Sequence, residues 1–128
     1  MHKVLDPSMI ERAVLDWFAQ HCVEPALVAQ IRSAVAGERE VTSIGIFTEL
    51  VVPESLASFP VQSQDGLAFE GCALHAAELE PHADCILHTQ GGRLSSLEIY
   101  AVGDGHPLDV TAFEVRSVAI NFVDLRKA

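Results

Sequence analysis

This chain of 128 residues is short of cations, aromatic residues and cysteine, and it has no long apolar run. Eight Lys and Arg stand against 18 Asp and Glu, a formal net charge of −10 at pH 7. A surface of that sign repels phosphate backbones and anionic headgroups, which speaks against nucleic-acid or membrane-surface binding and for a basic protein partner. The three cysteines, Cys22, Cys72 and Cys85, are odd in number and include no C-x-x-C pair. They fit neither a disulfide framework nor a zinc knuckle, and are expected as reduced thiols in an apolar core. No apolar stretch approaches the roughly 18 residues of a membrane span, and Met1 to Pro7 has no signal-type apolar segment, so a cytoplasmic location is expected. A phosphate loop is missing too: Gly91-Gly92 and Gly103-Asp104-Gly105 fall between strand patterns and open no helix. No cofactor is therefore assigned.

What is present reads as one α+β domain covering residues 1–128: two N-terminal helices packed on a twisted antiparallel β-meander of about five strands. Asp6 followed by Pro7 makes a helix start, with Ser8-x-x-Glu11 as an alternative capping box, and Ile10, Ala13, Val14, Trp17 and Phe18 line one face up to His21. Pro25 opens a second helix through Leu27, Val28, Ile31, Ala34 and Val35, with a stop at Gly37. The period then turns to alternation over 41–52, with Thr42, Ile44, Ile46, Thr48, Leu50 and Val52 on one side. Residues 53–65 read as a loop, ending on the Asp65-Gly66 turn signal, and 67–75 as a strand. Residues 76–81 read as a connection, followed by a hairpin of strands near 83–90 and 93–102 around Gly91-Gly92. A last strand region covers 110–123.

A two-residue turn at Gly91-Gly92 fixes a register in which Thr89 faces Leu94, Leu87 faces Ser96 and Cys85 faces Glu98. Glu98 then shares a face with Cys85, Leu87 and Tyr100, and a carboxylate on the helix-covered face needs a partner. Glu49, Glu98, Tyr100 and His88 are the candidate binding residues; no catalytic residue is assigned. His82-x-Asp84 projects two metal-type ligands to one side, with His75 as a third candidate across the 76–81 connection. His88 shares that side but lies about 13 Å along the strand from Asp84, too far to chelate the same ion. The dyads Cys85/His88 and Cys72/His75 are three residues apart, which in a strand points them to opposite faces.

Gly45-Ile46-Phe47-Thr48-Glu49-Leu50-Val51-Val52-Pro53 and Gly91-Gly92-Arg93-Leu94-Ser95-Ser96-Leu97-Glu98-Ile99-Tyr100 together resemble a group of small uncharacterised bacterial proteins. These carry a G-x-F-T-x-hydrophobic strand ahead of a G-x-L-x-x-L-E-x-Y hairpin. The resemblance implies the same α+β fold and brings no catalytic residues with it. Structurally, the pattern places Gly45 at a close approach and Phe47, Leu94, Leu97 and Ile99 in the core; functionally, it gathers Thr48, Glu49, Glu98 and Tyr100 into a polar cluster. Small, acidic and without an active-site constellation, the chain is similar to bacterial immunity proteins, which implies a non-catalytic domain that neutralises a basic toxin domain. The alternative is a pocketed ligand binder or enzyme with a cone fold like that of nuclear transport factor 2, which needs a further helix near 54–59. A homodimer built on the edge around 118–122 is a third possibility.

Overall fold

The computed structural model describes residues 3–61, 66–118 and the backbone of the strand pair 123–124. Among these are α1 (Pro7–His21), α2 (Pro25–Ser33), β1 (Val35–Val41), β2 (Gly45–Val51), β3 (Gly66–Glu70), β4 (Cys72–Ala76), β5 (Leu79–Gln90) and β6 (Arg93–Ala101). A 3-10 turn at Pro107–Asp109 precedes β7 (Glu114–Ser117) and β8 (Val123–Asp124). No helix of the described residues is long and apolar enough to cross a membrane.

The helices start where the residues dictate. Asp6 Oδ1 accepts from the Ser8 amide at 2.9 Å, satisfying one of the free N–H groups of the first turn, with Pro7 at the first helical position. That bond holds the Asp6 carboxyl below its ordinary value. Glu11 takes no part in a capping box. It is buried with Ile10, Val14, Leu15, Trp17 and Phe18 on the face that meets the sheet. Its carboxylate receives both a bidentate ion pair from Arg39 of β1, at 2.7 and 2.9 Å, and the Thr48 hydroxyl of β2. A buried carboxylate is tolerable only when paired and hydrogen-bonded in this way.

Arg12 locks the helices together, donating to the Ile31 and Ala34 carbonyls at the C-terminus of α2, at 2.9 and 3.3 Å. It thereby satisfies acceptors that the helix end leaves free. Gln30, fully buried, ties α2 to the hairpin turn. Its amide donates to Ala57 O and Gly92 O, each at 2.9 Å, and its oxygen accepts from the Leu94 amide at 2.8 Å.

The sheet is antiparallel but richer than a five-stranded meander. Strand order is β1-β2-β6-β5-β3-β8, and the long β5 also pairs β4, which pairs β7. Strand β2 therefore neighbours β6 instead of the next strand in sequence. The second helix ends at Ser33, not Gly37, and Val35–Val41 is a separate edge strand, exposed along most of its length. The expected 67–75 strand is two strands divided at Gly71, and the expected 76–81 connection shrinks to a tight turn because β5 begins at Leu79. Residues 52–61 form no helix. Gly92, at φ +82°, sits where an added Cβ would meet Phe59 O at 2.3 Å, so the hairpin turn also presses on the preceding loop. Asp65 and residues 119–122, on which the turn signal and the dimer edge were placed, lie outside the described residues.

One face of the sheet carries the core. Ile46 and Leu50, Leu67 and Phe69, Leu79, Cys85 and Leu87, and Leu97 and Ile99 are buried against Phe18, Leu27 and Ile31 of the helices. Each such side chain is worth about 2 kcal/mol in transfer from water. The opposite face carries no helix among the described residues, and it is where the candidate residues lie.

Candidate functional site

The hairpin register holds only next to its turn. Thr89 faces Leu94 as expected, but a bulge between His88 and Thr89 shifts the rest by one residue: His88 faces Ser96, Leu87 faces Leu97, Ile86 faces Glu98 and Asp84 faces Tyr100. A one-residue slip moves side chains to the other face. Glu98 therefore does not share a face with Cys85 and Leu87. It stands on the outer face with Tyr100, and both are half-buried.

The outer face is built in rows across β2, β6 and β5. Glu49, Ser96 and His88 form one row, Phe47, Glu98 and Ile86 the next, and Gly45, Tyr100 and Asp84 the third. The four expected binding residues thus all lie on this face. His88 Nε2 meets Glu98 Oε1 at 3.0 Å, and the His88 ring stacks on Phe47 with centres 6.3 Å apart. The Tyr100 hydroxyl donates to Asp84 Oδ2 at 3.3 Å, and Asp84 Oδ1 accepts from His82 Nε2 at 3.0 Å. Burial, and then the Asp84 carboxylate, push the Tyr100 hydroxyl above its ordinary value. Beyond His82, the His75 ring of β4 lies 5.5 Å away centre to centre. Burial, the Arg116 guanidinium and the His82 ring all lower its ordinary value.

Two expected core and cluster positions change places. Phe47 is a half-buried outer-face residue, not a core filler, while Thr48 is fully buried on the helix side with Glu11 and leaves the polar cluster. Gly45 is the close approach that was expected: a Cβ there would lie 2.3 Å from Ile99 O. Cys72 and Cys85 are buried on the core side, so neither forms a dyad with His75 or His88, and Cys22 is half-buried at the end of α1. Burial keeps the Cys22 thiol above its ordinary value, and the neighbouring Cys72 thiol, then burial, do so strongly for Cys85. Among the described residues no group of three or more His, Cys, Asp or Glu side chains is gathered to hold a metal ion.

Open clefts indent the surface of the described residues. One, of about 470 Å³, lies between α1 and the β1 edge and includes Glu11, Arg12, Leu15, Arg39 and Leu50. Another, of about 390 Å³, is bounded by Glu38, Glu40, Phe47, Glu49 and Ser96. Neither takes in His88, Glu98 or Tyr100.

Sequence reasoning missed Arg39 and Gln30, whose partners are 28 and at least 27 residues away, and no local pattern announces such pairs. It also missed Ile86 and Phe47 as outer-face residues, although each alternates with buried neighbours, Cys85 and Leu87 in β5 and Ile46 and Thr48 in β2. No family model, no curated protein and no solved structure matches this chain.

Proposed function

We propose that this protein is a non-catalytic protein-binding domain whose uncovered sheet face docks a basic partner, as the resemblance to immunity proteins implies for a basic toxin domain. One observation carries the reading. Phe47, Ile86 and Tyr100 lie half-buried on the face, with Glu98 between Phe47 and Ile86, and Glu49 and Asp84 in the rows on either side. Half-buried aromatic side chains on an open face are the residue type enriched in binding hot spots. With a formal net charge of −10, the chain attracts a cationic surface over distances comparable to the Debye length.

His88 and Glu98 are partly exposed on the open outer face, with the core packed on the far side, which suits docking of a partner surface. The test is capture of partners from lysate of the source organism at low and high salt, with the wild-type chain and with Glu49→Lys/Glu98→Lys. Support is a basic protein held in stoichiometric amount by the wild type at low salt, released by salt and not held by the variant. Equal capture by both chains, or no capture at either salt, overturns the reading.

A further inference from the structure

We propose that His75 and His82 form a two-histidine site for a late first-row divalent cation, Cu²⁺ ahead of Zn²⁺, on the outer face of the sheet. The two rings come from adjacent antiparallel strands, β4 and β5, joined by the tight turn after Ala76. Their centres are 5.5 Å apart. An imidazole nitrogen binds such an ion at about 2.0–2.1 Å, which puts the ion about 3.2 Å from the ring centre; two rings at about a tetrahedral angle are then about 5 Å apart. The observed spacing of the ring centres is thus close to that of a bound pair.

His82 is also held as a metal-binding histidine is held. Its Nε2 donates to Asp84 Oδ1 at 3.0 Å, which fixes the tautomer and leaves the Nδ1 lone pair free of the proton. Asp84 is itself steadied by the Tyr100 hydroxyl at 3.3 Å. On the other side, Glu114 of β7 faces His75 and is ion-paired with Arg116 at 2.9 Å, so it does not supply a free third ligand. Water completes the coordination sphere, which gives a weak, exchangeable site and not a structural zinc centre. Imidazole donors and the general affinity order of divalent ions put Cu²⁺ first.

The test is calorimetric titration of the full chain with CuCl₂ and with ZnCl₂. We expect one ion per chain in the wild type, bound more tightly for Cu²⁺. Binding should be lost in His75→Gln and His82→Gln, weakened about tenfold in Asp84→Asn, and unchanged in His88→Gln, whose ring also meets a carboxylate but no second histidine. In parallel, substoichiometric Cu²⁺ should broaden the imidazole signals of His75 and His82 in the wild type before those of His88, a readout that needs no variant to fold. Binding that survives His75→Gln and His82→Gln but is lost in His2→Gln places the ion at the amino terminus and overturns the assignment. Absence of one-to-one binding in the wild type overturns it as well.

Discussion

Glu98 holds His88 at 3.0 Å although Ile86, not His88, is the residue directly opposite it. The contact is diagonal, and it exists on the outer face because the bulge beside Thr89 turns Glu98 away from the core. Both side chains are partly exposed, so the pair is a weak stabiliser. Glu98→Gln is expected to change unfolding free energy by less than about 1 kcal/mol while reducing partner capture. Urea denaturation and capture on the same preparations measure the two effects separately, and a large loss of stability contradicts this placement.

The Glu11–Arg39 pair is expected to behave in the opposite way. Glu11 is buried, and truncating Arg39 leaves its carboxylate without its bidentate partner. Arg39→Leu should cost about 3 kcal/mol, whereas the double change Glu11→Leu/Arg39→Leu should cost much less, because it removes the buried charge along with its partner. Denaturant midpoints of Glu11→Leu, Arg39→Leu and the double variant form the cycle that tests it, and additive losses would refute it.

Gln30→Ala should destabilise by about 2 kcal/mol, since it leaves the buried Leu94 amide without its acceptor and removes donors to Ala57 and Gly92. Its signature is local. Amide exchange should quicken first at the Gly91-Gly92 turn and in residues 53–59, and exchange that quickens evenly along the chain would contradict the anchoring role.

How much of this was legible in the sequence depended on the range of the interaction. The cap at Asp6, the start at Pro25 and the Gly91-Gly92 turn are set by residues next to one another, and they stand where the pattern put them. Strand β1 was hidden because an exposed edge has no buried face to impose alternation on Val35–Val41. The bulge beside Thr89 has no residue signature in Leu94-Ser95-Ser96, yet it decides the face of Glu98 and Tyr100. The candidate residues were therefore found by type, while their neighbours were not.

Tyr100 is the only tyrosine in the chain, so its titration is directly visible in the ultraviolet. Its hydroxyl is raised above the ordinary 10.0 by burial and by Asp84. The stability it contributes is thus fully present below pH 10 and is lost as pH rises through the higher folded-state value. Tyr100→Phe should flatten that alkaline fall. Absorbance of the native protein titrating at or below pH 10 would show that the Asp84 contact does not hold.

The most direct measurement is the amide chemical-shift map of the protein when a salt-released basic partner is added. The account predicts that the largest shifts fall on Phe47, Glu49, Ile86, His88, Glu98 and Tyr100, and fade as salt rises. Shifts concentrated on α1 and α2, with that face unmoved, would contradict it.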